Sequence, residues 1–302
     1  MNWADASAGW SWNPVTDLRQ IWAFPFMVNA FRAGTVVAVL AAVMGWFMVL
    51  RRQSFAGHTL AVVSFPGAAC ATLLGISASF GYFAFCVGGA LVIAAIPRAG
   101  QGGGSGQESA LTGTVQAFLL ACGFLFVALY KGFLGGVNSL LFGSFLGITT
   151  LQVTVLTIVA ALALGVLAVI GRPLLFASVD ENVAAGRRVP VRALSVVFLV
   201  LLGTATAEAS QITGTLLVFA LLVMPAAAAQ QLTARPALSL ALSVLIALAV
   251  TWTGLIAAYY SPYPIGFYVT TFAFAGYLLA RATRALDSAV GSRRFARAGA
   301  VA

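Results

Sequence analysis

The chain has 302 residues, of which 61% are hydrophobic and 8% charged, with a formal net charge of +9; its mean hydropathy is +1.01. Soluble domains carry about 25% charged and about 45–50% apolar residues, so a soluble fold is excluded and a polytopic membrane protein is implied. The positive charge does not describe a nucleic-acid surface, because the basic residues stand singly or in pairs between apolar runs.

Residues 1–24 carry Trp3, Trp10 and Trp12 with Asp5, Asp17 and Arg19, and lack the basic leader and small-residue cleavage site of a signal peptide. An interfacial segment rich in tryptophan is expected there. A spanning helix needs about 20 largely apolar residues. Nine such stretches follow, at 25–50, 57–76, 80–97, 112–130, 150–171, 193–208, 213–232, 237–259 and 265–283. They define an all-α transmembrane domain over 25–283 and leave a basic cytoplasmic tail at 284–302. The second and sixth are the weakest as full spans.

Placing the N-terminus outside and the C-terminus inside puts 13 of the 16 basic residues on the cytoplasmic side: Arg51, Arg52, Arg98, Arg172, Arg187, Arg188, Arg192, Arg235, Arg281, Arg284, Arg293, Arg294 and Arg297. Arg19, Arg32 and Lys131 fall outside. That asymmetry is the one expected of a protein in a bacterial plasma membrane.

Between the spans, residues 98–109 read as a flexible glycine-rich loop, and the longest interior cytoplasmic stretch is 172–192, with Asp180, Glu181, Arg187 and Arg188. The latter is either a solvated loop or a short helix on the membrane face. Residues 131–149 are apolar but interrupted by glycines, which suggests a re-entrant or interfacial segment. No GxxxxGK[ST] sequence is present, so ATP hydrolysis is not expected of this chain. Cys70, Cys86 and Cys122 lie in apolar runs without a CxxC spacing and read as small buried hydrophobes.

Ionisable residues within spans are costly and usually functional. His58 is the single histidine, and Glu208 closes the sixth predicted span, followed by Ser210, Gln211 and Thr213. His58 is either a metal ligand or a hydrogen-bonded histidine near the interface. As a ligand it would want a second donor one turn on, and position 62 is valine. Glu208 either lines an ion entry path or is a solvated helix end. No serine–histidine–aspartate set or HExxH sequence points to an enzyme.

Residues 211–229, QITGTLLVFALLVMPAAAA, resemble the signature of the zinc/manganese-type ABC permeases, the ABC-3 family. Gly214, Leu216, Leu217, Ala220, Leu221, Leu222, Pro225, Ala226, Ala227 and Ala229 match it as they stand. Pro225 removes one helical hydrogen bond and, with Gly214, marks a bend or a close packing site. LLFGSFLGIT at 140–149, the acidic run around Asp180, and SPYPIGFYVTTFAF near the last span are similar to other family segments, so the resemblance covers about residues 25–283. One segment departs from it. The family's second span commonly pairs Asp and His one turn apart as a pathway metal site, and here those places hold His58 and Val62.

The resemblance implies a type II importer bundle acting as a pair of permease subunits, likewise built or self-paired. It implies a separate ABC ATPase, contacted through the 172–192 segment. An extracytoplasmic lipoprotein or periplasmic protein would deliver a zinc- or manganese-class ion, and no other cofactor is expected in the chain. The rivals are an importer of a chelated metal or other non-ionic substrate, which Val62 favours, and a stand-alone secondary transporter.

Overall fold

The computed structural model describes residues 22–95, 105–130, 141, 143, 147–215, 217–261 and 263–299. Ten helices account for nearly all of them: α1 (Pro25–Leu50), α2 (Ser54–Leu73), α3 (Ala78–Ala95), α4 (Ser105–Leu129), α5 (Thr150–Val179), α6 (Glu181–Gly186), α7 (Val191–Thr213), α8 (Val218–Leu232), α9 (Pro236–Tyr259) and α10 (Ile265–Gly299). Among the described residues, eight are long and apolar enough to cross a membrane, and α8 is a shorter apolar helix. The nine expected spans are therefore all present as helices. The segments expected at 1–24 and 98–109, and the re-entrant stretch at 131–149, lie wholly or mostly outside the described residues.

Four boundaries differ from the sequence reading. The sixth span runs to Thr213, not to 208, so Glu208 lies inside α7 rather than at its mouth. The helix stops at Gly214, whose φ of +81° is a left-handed value that glycine adopts without steric cost. The short span is instead the seventh: Gly214, Thr215 and Leu217 are not helical and α8 keeps only 15 residues. The fifth continues past 171 to Val179 with Pro173 inside it. Its 30 residues measure about 45 Å, against about 30 Å of hydrocarbon, so one end projects beyond the bilayer. At the other end of the chain, α10 carries on through the expected tail to Gly299. The run ARATRALDSAV has no proline and is rich in good helix formers, so nothing local stops it.

α1 is the central post. It packs against α5, α7, α8 and α9, while α2, α3 and α4 group with α7, and α8, α9 and α10 group together. Association in lipid relies on close backbone approach and interhelical hydrogen bonds rather than on a hydrophobic drive. Both appear here. A Cβ at Gly45 of α1 would lie 1.8 Å from the Leu222 carbonyl oxygen of α8, so only glycine permits this crossing, one turn before Pro225. Trp46 Nε1 donates to Ser239 Oγ at 3.0 Å, Ser243 Oγ to the Ala42 carbonyl at 3.2 Å, and Gln230 Nε2 to the Trp46 carbonyl at 3.0 Å. The outer helices are different. On α5, Val153, Leu156, Ala160, Ala163 and Leu167 face inward, and Leu151, Val155, Ile158, Leu162, Val166 and Val169 form an exposed apolar stripe.

Candidate functional site

α2 begins at Ser54, so His58 falls in its second turn, and Val62 follows one turn later on the same face. Both line a cavity of about 280 Å³ together with Ala61 and Phe65 of α2, Leu120 and Phe124 of α4, Leu141, and Thr215 and Phe219 from the start of the α8 region. The walls are almost wholly apolar. The exceptions are two buried polar atoms without a hydrogen-bond partner, His58 Nδ1 and Thr215 Oγ1. The Phe219 ring meets the imidazole edge-to-face at 5.0 Å between centroids and 69° between planes, which fixes the orientation of His58.

Buried polar groups are normally paired, and an unpaired one costs about 1–3 kcal/mol. Two of them face the same cavity. Thr215 was not singled out in the sequence. It lies between α7 and α8, outside both helices, and lines the cavity.

Glu208 is fully buried in α7, and both its carboxylate oxygens lack a partner. It is not among the residues lining the cavity, so His58 and Glu208 do not share that site. Ser210, two residues on, also has an unpartnered buried hydroxyl. No group of three or more His, Cys, Asp or Glu side chains able to hold a metal ion is found among the described residues. The described residues thus offer no closed cage of the kind a resident structural ion uses. Cys70, Cys86 and Cys122 are free thiols.

The polar segment after α5 folds into α6. Asp180 caps it by accepting from the Val183 backbone N–H at 2.9 Å, and Glu181 in the first turn suits the positive end of the helix dipole. Ala184 is buried against Ala177 of α5 and Val191 of α7, which docks the six-residue helix onto the ends of those two long helices. Asp180, Glu181, Arg187 and Arg188 are all exposed, as is Val183. The arrangement is a small, charged, surface-facing helix held by a rigid base.

A family model, the ABC 3 transport family, matches residues 23–284. The chain belongs to the ABC 3 transport family. Among curated relatives, this ABC 3 protein is 26% identical over 226 residues to the manganese transport system membrane protein MntC of Halalkalibacterium halodurans, covering 75% of this chain and 76% of the relative. It is 29% identical over 218 residues to the chelated iron transport system membrane protein YfeC of Yersinia pestis, covering 72% of each. Its fold matches that of PsaBC from Streptococcus pneumoniae, solved in complex with Fab, with a TM-score of 0.77 and 24% identity over 88% of this chain and 94% of the other. Membership makes the chain a multi-pass transport permease of an ABC system and sets aside the stand-alone secondary transporter.

Proposed function

We propose that this permease carries a divalent transition-metal ion of the manganese or zinc class inward through the cavity between α2, α4 and the α7–α8 link. The observation behind the reading is the open donor pair in that cavity, His58 Nδ1 and Thr215 Oγ1, inside otherwise apolar walls. Imidazole suits manganese-, iron- and zinc-like ions. A transient passenger needs fewer protein ligands than a resident one, because water or a second carrier completes its shell and release must stay fast. The manganese transport named for MntC agrees with this reading.

The wider assembly belongs to the same proposal. Two copies form the membrane pair, α6 docks on a separate ATPase, and an extracytoplasmic binding protein delivers the ion. In this reading α6 and the C-terminus lie in the cytoplasm and the N-terminus outside the plasma membrane, which the distribution of basic residues supports. Asp180, Glu181, Arg187 and Arg188 supply the charged contacts of the docking helix. ATP binding then moves α6, and alternating access re-aims the pathway.

A second reading has its own observation. Val62 lines the cavity where one more ligand would complete a metal site, and the space of about 280 Å³ exceeds a bare ion. A chelated ion would bring its own ligands, as the name of YfeC suggests for that relative. Uptake of radiolabelled manganese, zinc and chelated iron by cells with and without this chain separates the two. Dependence of free manganese or zinc uptake on the chain, lost in His58→Ala, supports the bare ion. Dependence of chelated iron uptake alone supports the chelate.

A further inference from the structure

Arg51 stands at the C-cap of α1 and reaches three other elements. Its Nη1 donates to Ser178 Oγ at 3.2 Å, its Nη2 to Ser195 Oγ at 2.7 Å, and its Nε to Gln53 Oε1 at 3.4 Å. The guanidinium also lies over the Phe198 ring, 5.5 Å from the centroid. Ser178 is in the last turn of α5, two residues before the Asp180 cap of α6, and Ser195 is in the first turns of α7, just after α6. Gln53 is the N-cap of α2, five residues before His58. One side chain therefore grips both roots of the small exposed helix and the root of the helix that lines the cavity.

The grip is stiff for reasons peculiar to arginine. The planar fork holds several donors in fixed directions and stacks on an aromatic face, so it behaves as a brace where a lysine would behave as a swivel. The turn that presents it is equally fixed. The Gln53 N–H bonds the Met48 carbonyl and the Arg52 N–H bonds the Val49 carbonyl, with Arg52 in the left-handed conformation at φ +56°. A displacement of α6 moves Ser178 and Ser195, and through Arg51 it moves the start of α2.

We propose that Arg51 is the positioning residue that transmits movement of the α6 docking helix to the cavity-lining helix α2. This rests on the reading of α6 as the ATPase contact. It does not require the cargo to be a particular metal.

The test uses a thiol placed in the cavity. Val62→Cys is introduced with the three native cysteines replaced, and the chain is reconstituted in proteoliposomes with its ATPase. The labelling rate at position 62 is measured with and without ATP. ATP is expected to change the rate about tenfold in the Arg51 parent, a size typical of coupled sites. With Arg51→Gln the change should fall below about twofold. Ser178→Ala/Ser195→Ala, which keeps Arg51 and guards against misfolding of the first variant, should flatten it as well. Arg51→Lys should also stay flat, because an ammonium does not span two serines and a ring. A full ATP response in Arg51→Gln or in the double serine variant would overturn the proposal, and so would a parent that shows no response. Metal uptake, measured on matched vesicles that keep Val62 and include the binding protein, separates the two readings: a labelling response without uptake of any metal removes the cargo assignment and leaves the Arg51 relay standing.

Discussion

Two polar sites interrupt this apolar bundle, and they are built on opposite terms. At the root of α2 and α7, Arg51, Gln53, Ser178 and Ser195 satisfy one another. One to two turns along α2, in the cavity, His58 and Thr215 have polar atoms buried with no partner. Both sites use neutral or basic side chains next to a phenylalanine, Phe198 in one and Phe219 in the other. The difference is whether the protein completes its own hydrogen bonds. A completed network specifies one geometry and makes a joint. An incomplete one leaves a cost that an incoming group would relieve, as the proposed passage requires.

The contrast predicts its largest effect in transport. His58→Ala removes a donor that no protein group uses, so it should cut uptake of the cargo ion by about tenfold or more, about 1.4 kcal/mol of binding, while leaving the unfolding midpoint of the purified chain nearly unchanged. Equal losses of uptake and of stability would mean that His58 is a packing residue and that the cavity is not the passage. Val62→His adds the second donor one turn away and should tighten binding of free manganese or zinc, read by equilibrium binding to the purified permease.

Hydroxyl deletions at the two sites should move stability in opposite directions. Ser195→Ala removes the acceptor of a 2.7 Å bond from a guanidinium and should cost about 2 kcal/mol, the range for hydrogen bonds to charged groups. Thr215→Val keeps the shape, removes an unpartnered buried hydroxyl, and should gain about 1 kcal/mol while slowing uptake. Chemical unfolding in mild detergent measures both. Two changes of the same sign would erase the distinction between joint and passage.

The sequence made the spans legible because each is an apolar run longer than any soluble element needs. It located helix ends less well, since an end depends on backbone chemistry as well as polarity. Glu208 with Ser210, Gln211 and Thr213 suggested a mouth at the end of the sixth span, whereas α7 continues until Gly214. The cytoplasmic stretch read at 172–192 ended the fifth span at 171, whereas α5 runs to Val179. His58 and Val62 could be placed on one face from spacing alone. Thr215 and Phe219 could not, because their facing depends on where α7 ends and α8 begins. Arg51 showed in the sequence only as one of two basic residues in a turn. Its serine partners are 127 and 144 residues away, a relation that no local pattern carries.

The smallest effect concerns the turns that frame the joint. Arg52 follows α1 with φ +56°, and Arg188 follows α6 with φ +60°. Both close the same way: Gln53 N–H bonds the Met48 carbonyl, and Val189 N–H bonds the Ala184 carbonyl, each a six-to-one bond around a left-handed residue. Glycine is the usual occupant of that position, because a Cβ there crowds the following carbonyl. Both arginine side chains are exposed, so their conformation is set by the turn. Arg52→Gly and Arg188→Gly should each stabilise the chain by about 0.5–1 kcal/mol, read as a small rise in the unfolding midpoint. They should part in function. Arg52 lies on the α1–α2 turn and Arg188 on the exposed turn that closes α6, so Arg188→Gly alone should also weaken binding of the ATPase to the permease. Equal loss of ATPase binding in both variants would place the docking surface across the whole basic face instead of on α6.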